Sequence, residues 1–183
     1  MHPDLERILF DEKTILEKVK QLGAQLSSDY HDKNPLFICI LKGASLFMAD
    51  LVKRVDVHME MDFMAISSYG ASSQSSGVVR ILKDLERSVE GRHVVIVEDI
   101  VDTGLTLKYL RDTMVHRHAA SVRIVTLFDK PSGRKVDIAP DYYGFTVPNA
   151  FIVGYGLDYS EHYRNLPFVG VLKSDIYATS EPD

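Results

Sequence analysis

The stretch "VVIVEDIVDTGLTL" (residues 94–107) decides how this chain is read. Four branched apolar residues, Val94 to Val97, run directly into two adjacent carboxylates, Glu98 and Asp99. Asp102 follows, then Thr103, Gly104, Leu105 and Thr106, and beyond them Leu107, Leu110 and Met114 recur at helical spacing. A buried strand, a small hydroxyl-rich turn and an amphipathic helix make the βα unit of an open parallel sheet. Ligands of such sheets sit beyond the carboxyl ends of the strands, where helix N-termini point. The turn's backbone N–H groups, the helix dipole and the Thr103 and Thr106 hydroxyls suit one phosphate. Gly104 lets the backbone come close without a Cβ.

Two common phosphate loops are excluded. No G-x-x-x-x-G-K-[ST] occurs, and no G-x-G-x-x-G follows this strand. Here the acids precede the loop instead, and a carboxylate repels a phosphate unless it faces something else, such as sugar hydroxyls or a metal. The ligand suggested is a ribose 5-phosphate, with Glu98 and Asp99 on the diol and the turn on the phosphate. An ordinary turn with a solvated acidic rim would explain a bare "ED" pair, not the whole pattern.

Outward from this stretch the same architecture repeats. Residues 11–28 read as a helix capped by Asp11, with Ile15, Val19, Leu22 and Leu26 as its stripe. "PLFICIL" (35–41) is a short apolar strand, and the segment after it is a turn followed by a helix. "VHMEMDFMAI" alternates, with Val57, Met59, Met61 and Phe63 on one side and a solvated face of His58, Glu60 and Asp62 on the other. "VVRILKDL" (78–85), "HVVIV" (93–97), "SVRIVTLF" (121–128), "AFIVGYG" (150–156) and "FVGVL" (168–172) complete the strands. The fold class expected is α/β, a mainly parallel sheet flanked by helices, in a single domain over residues 1–183. The Ser/Gly-rich segment at about 68–77 reads as a flexible loop, and the polar tail from about 174 is expected to fray.

Composition narrows the class. The chain has 183 residues, 45% of them hydrophobic and 26% charged, which is ordinary for a soluble domain with a substantial core. The net charge of −5, without any basic run, leaves no footprint for nucleic acid. One cysteine, Cys39, lies inside an apolar strand, so no internal disulfide can form and the thiol reads as a core residue. No signal-like segment or run of membrane-spanning length is present, which points to a cytoplasmic protein.

"VVIVEDIVDTGLTL" resembles the phosphoribosyl-pyrophosphate (PRPP) motif of type I phosphoribosyltransferases. "LKGA" (41–44), "MDFMAISSYG" (61–70), "LFDKPSGR" (127–134) and "FIVGYGLDYSEHYRNLP" (151–167) resemble hypoxanthine-guanine phosphoribosyltransferases in the same order. The resemblance spans roughly residues 35–172. It implies that fold with a small hood region, and transfer of the phosphoribosyl group from PRPP to a 6-oxopurine with Mg²⁺.

The resemblance also implies roles. Lys42, Gly43 and Arg164 would meet pyrophosphate, at a loop that often holds a non-proline cis peptide. Ser68 and Tyr69 would belong to a lid that keeps water from an oxocarbenium-like state. Lys130 would donate to the purine 6-oxo group, Phe151 would stack on the ring, and the Ile152 backbone would read its edge. Asp158 would contact Mg²⁺ beside the base, with Glu98 and Asp99 as further metal-side carboxylates. Asp102, between diol acids and phosphate cradle, is the candidate general base. A homodimer or homotetramer is what the family suggests. Taken singly, Lys42, Lys130 and Arg164 would read as surface charges and Phe151 as core. Two alternatives stand beside this reading: a phosphoribosyltransferase for another base, and a PRPP-sensing regulator of nucleic acid, which would need a basic surface.

Overall fold

The apolar run that opens at Val94 forms the middle of a six-stranded sheet. The computed structural model describes residues 2–68 and 79–178, with the side chain of Ser68 excepted. The elements in chain order are β1 (Leu5–Phe10), α1 (Glu12–Asp29), β2 (Leu36–Leu41), α2 (Ser45–Val52), β3 (Glu60–Ser68), β4 (Val79–Lys83) and β5 (His93–Val101). They continue with α3 (Leu105–His116), β6 (Ser121–Asp129), β7 (Tyr142–Thr146), β8 (Ile152–Val153), β9 (Val169–Leu172) and α4 (Ser174–Ala178). The large sheet has the order β4-β3-β2-β5-β6-β7, parallel except for the antiparallel edge strand β4.

Strand alternation divides the core. Phe37, Cys39, Val95 and Val97 face a cluster built with α1 and α2, while Ile38, Ile40, Val94 and Ile96 face one built with α3. Both faces of β2 and β5 are therefore covered, which is why their sequences are continuously apolar. Burial, aided by the Glu98 and Asp99 charges, pushes the Cys39 thiol up to about 12, consistent with an inert core residue. Asp11 caps α1 through its side chain, accepting the Thr14 N–H at 2.8 Å.

After β2 the chain turns to one side for β3 and β4, then crosses back to place β5 on β2's other flank. The carboxyl ends of β2 and β5 therefore flank the topological switch point, where an open sheet offers its crevice. A second, antiparallel sheet of order β1-β9-β8 stands above that end as a hood, through Leu5, Val153 and Leu172.

The structure corrects several expectations. β5 extends through Val101, so Glu98 and Asp99 lie inside the strand and Asp102 is the first residue after it. The alternation in β3 holds, but its exposed side is the apolar one: Met61 and Phe63 are exposed, whereas Asp62 and Met64 are buried. Asp62 tolerates this because its carboxylate accepts the N–H groups of Phe63 (2.7 Å) and Glu86 (2.9 Å). The tail does not simply fray, since residues 174–178 form α4 and Ile176 packs on the hood cluster. β1 and β7 escape the periodicity reading because both are edge strands: β1 carries "ER" among its apolar residues and β7 carries Gly144. Most of the expected loop at 68–77 lies outside the described residues.

Candidate active site

Four chain segments meet at the carboxyl end of the sheet. The end of β2 supplies Lys42 and Gly43, joined to the strand through a cis Leu41–Lys42 peptide. The end of β5 supplies Glu98, Asp99 and Asp102. The turn into α3 has Gly104 in a left-handed conformation (φ 80°), and the first N–H groups of the helix have no intrahelical acceptor by geometry. The Thr103 hydroxyl accepts the Leu105 N–H at 3.4 Å, and Thr106 stands in the first helical turn. From β6 comes Lys130, whose N–H donates to the Val101 carbonyl at 2.9 Å. The hood supplies Phe151, Ile152, Asp158 and Arg164.

Asp99, Asp102, Lys130, Phe151, Ile152 and Asp158 line one cleft of about 240 Å³. The Lys130 ammonium, only 15% exposed, lies 3.6 Å from Asp102 Oδ2. Phe151 is 39% exposed, stacked on Tyr177 of α4 at 5.3 Å between ring centroids. Ile152 is buried in β8 against Val171. Arg164 pairs with Asp158 at 2.9 Å and with Glu161 at 3.3 Å, and donates to the Gly156 carbonyl at 2.8 Å. Lys42, far away in sequence, meets the other Glu161 oxygen at 2.9 Å. Lys42 and Arg164 are thus brought together around one carboxylate. Gly43 lies so close to the Asp99 carboxylate that a methyl group there would overlap it. Of the two lid residues, Tyr69 lies outside the described residues and Ser68 is described only as backbone ending β3.

A model of the phosphoribosyl transferase domain matches residues 7–160. The chain belongs to the phosphoribosyl transferase family. It is 59% identical over 177 residues to the hypoxanthine-guanine phosphoribosyltransferase of Streptococcus thermophilus (strain CNRZ 1066), a match covering 97% of this chain and 98% of the relative. The protein of the same name from Bacillus subtilis (strain 168) matches with the same identity and coverage. A crystal structure of a hypoxanthine phosphoribosyltransferase from Staphylococcus aureus superposes with a TM-score of 0.94 at 49% identity, covering 97% of this chain and 96% of that one.

The acids of this phosphoribosyltransferase are unusual in their protonation. Burial is the largest influence on Asp99 and pushes its carboxyl up to about 6, opposed by the bond from the Ile100 N–H and by the Arg164 charge. Burial, reinforced by the charge on Asp99, holds Glu98 well above the usual carboxylate range. One Glu98 oxygen is buried without a hydrogen-bond partner.

The stability of the ligand-free protein in chelator should depend on pH through Asp99. The native Asp99 binds a proton more tightly than its unfolded counterpart near 3.8. Its favourable contribution is fully present below that unfolded value and is lost as pH rises through about 6. Asp99→Asn should therefore be more stable than the parent at pH 8 by about 1–3 kcal/mol, a gain of several degrees in Tm. The gain should vanish near pH 4. Thermal melts at pH 4, 6 and 8 test this, and equal melting temperatures at pH 8 would contradict it.

Sequence reading missed three participants. Gly156, Glu161 and Arg134 all sit within the motifs quoted above, but only the three-dimensional arrangement shows their neighbours. Tyr177 is a fourth, outside those motifs, and it stacks behind Phe151.

Proposed function

We propose that this chain is a purine salvage enzyme that transfers the 5-phosphoribosyl group of PRPP to N9 of hypoxanthine or guanine. The products are IMP or GMP and pyrophosphate. One observation carries the reading: a single cleft at the switch point brings Asp99 and Asp102, at the carboxyl end of β5, together with Lys130 and the half-exposed ring of Phe151.

In this reading the turn from Thr103 to Thr106 cradles the 5-phosphate, and Asp99, with Glu98 beside it, takes the ribose diol. Lys42, Gly43 and Arg164 receive the pyrophosphate, so the contact that Lys42 and Arg164 share with Glu161 opens when PRPP binds. Phe151 stacks on the purine while the Ile152 backbone reads its edge. The Lys130 ammonium donates to the 6-oxo group; adenine would present it with a donor instead, leaving both groups unpaired. Purine N9 attacks the anomeric carbon as the C1–O bond to pyrophosphate breaks, and Asp102 takes or shares the N7 proton. The pair Ser68 and Tyr69 belongs to the lid that excludes water during this step.

The donor set also fits Mg²⁺. Asp99 and Asp158 present oxygen ligands in the cleft. That suits a hard cation that keeps one or two carboxylates and takes its other ligands from substrate phosphates and water. When bound, Mg²⁺ neutralises charge on the departing pyrophosphate.

We place the whole chain in one catalytic domain acting in the cytoplasm, and among the described residues no helix is long and apolar enough to cross a membrane. Met61, Phe63 and Leu82 are exposed apolar side chains on β3 and β4, the kind of surface that the homodimer or homotetramer implied by the resemblance would cover.

The test is an ultraviolet assay with PRPP and Mg²⁺ against hypoxanthine, guanine, xanthine and adenine in parallel. Turnover with hypoxanthine or guanine and none with adenine is the expected result. Adenine as the best substrate, or no turnover with any base, would remove the reading.

A further inference from the structure

The motif "LFDKPSGR" contributes Lys130 to the site, but Asp129 and Arg134 have no role in the chemistry above. Both are largely buried, with side chains only 12% and 16% exposed, and they form an ion pair with each other. The second arm of the Arg134 guanidinium does something else: Nη1 donates to the backbone carbonyl of Asp102 at 3.0 Å. One planar cation thus joins the end of β6 to the residue that follows β5.

The surrounding chain enforces this link. A single 3₁₀ turn, Pro131–Gly133, returns the chain so that Arg134 points back under the β5 turn. The Lys130 N–H donates to Val101 O at 2.9 Å, and the Lys135 N–H donates to Thr103 O at 2.9 Å. Residues 130–135 are therefore laced to 101–103 on both sides of Asp102. Gly133 lies against the Asp102 carboxylate so closely that a methyl group would overlap Oδ1. The other oxygen, Oδ2, is the one 3.6 Å from the Lys130 ammonium.

We propose that Arg134 is a positioning residue, a clamp that fixes Asp102 and Lys130 relative to each other by bridging the Asp129 carboxylate and the Asp102 carbonyl. The inference rests on the functional reading above, in which those two groups face N7 and the 6-oxo group of one base. Fixing them as a pair matters because both must meet the same flat ring at once. A displacement of about 1 Å in such a constellation is worth on the order of 10²-fold in rate. Only a guanidinium can make both contacts together, since its donors form a rigid fork and an ammonium is a point charge.

Arg134→Lys and Arg134→Ala test the clamp in the full chain, each with a melting temperature, kcat, KM for PRPP and KM for hypoxanthine. Arg134→Lys keeps a positive charge beside Asp129 but loses the second arm. We expect its kcat to fall roughly ten-fold at temperatures where it is folded, with KM for PRPP changed by less than about two-fold. Arg134→Ala should lose more, and millimolar methylguanidine, but not methylammonium, should restore part of its kcat. A merely stabilising role would lower the melting temperature alone and would not answer to methylguanidine. If the alanine variant does not fold, Arg134→Lys decides by itself. Either variant folded with kcat within about two-fold of the parent overturns the clamp, as does an alanine variant that methylguanidine leaves unchanged. A parent without transfer removes the functional reading and the clamp with it, whereas an active parent with unaffected variants removes the clamp alone.

Discussion

Asp102→Asn will slow phosphoribosyl transfer by roughly 10²- to 10⁴-fold while PRPP affinity stays within a few-fold, the range expected when a positioned general base is lost. Asp102 is the first residue after β5, 46% exposed in its side chain, and it lines the cleft with Lys130 and Phe151. The amide keeps the shape of the carboxylate and can still accept a hydrogen bond, but it cannot take a proton. Only the step in which the purine proton moves should suffer. The ribose acids and the phosphate turn lie on either side of position 102, so PRPP keeps its partners. Stability should fall by no more than about 1 kcal/mol, because a half-exposed side chain keeps its volume while the 3.6 Å ion pair with Lys130 is lost. Initial rates with hypoxanthine, a PRPP titration by calorimetry and a thermal melt separate the three quantities. Unchanged turnover would remove Asp102 from the mechanism, and a parallel loss of PRPP binding would move it from the base to the sugar.

How much of this was legible follows from what each residue touches. The βα unit at 94–107 could be read because both of its signals are local: a continuous apolar run for a strand covered on both faces, and a glycine at the turn into α3. The parallel sheet follows from several such units in series. The residues that converge on this unit from elsewhere were reachable only through resemblance, because Lys42, Lys130 and Arg164 taken singly are indistinguishable from surface charges. Their convergence is a property of the switch point between β2 and β5, which depends on strand order, and strand order is not written in periodicity. Edge strands β1 and β7 were illegible for the opposite reason: half their surface meets solvent, so their polar residues dilute the pattern. The orientation of β3 misled because Asp62, a residue that normally marks the wet face, finds two backbone donors inside. Arg134 and Glu161 were invisible because each acts on a partner more than thirty or a hundred positions away.

Gly156→Ala will destabilise the enzyme by about 3–5 kcal/mol and lower its melting temperature by roughly 10 °C, far more than an ordinary glycine substitution. Gly156 has φ 97°, a conformation that residues with a Cβ rarely adopt. The added methyl would also be driven into the carbonyl oxygen of Gly43, which is backbone and cannot swing aside as a side chain end would. The position is further tied by its N–H, which donates to Arg164 O at 3.0 Å, and by its carbonyl, which accepts from the Arg164 guanidinium at 2.8 Å. Relief of the overlap must therefore move either the Lys42–Gly43 loop or the Arg164 segment, the two halves of the proposed pyrophosphate site. KM for PRPP should rise in whatever fraction remains folded. Gly91→Ala separates strain from collision, since Gly91 also has a positive φ (70°) but no atom within 4 Å of where its new methyl would stand. That variant should lose only about 1 kcal/mol, with PRPP kinetics intact. Equal losses at the two positions would mean that backbone conformation alone sets the penalty and that the packing of Gly156 on Gly43 contributes nothing.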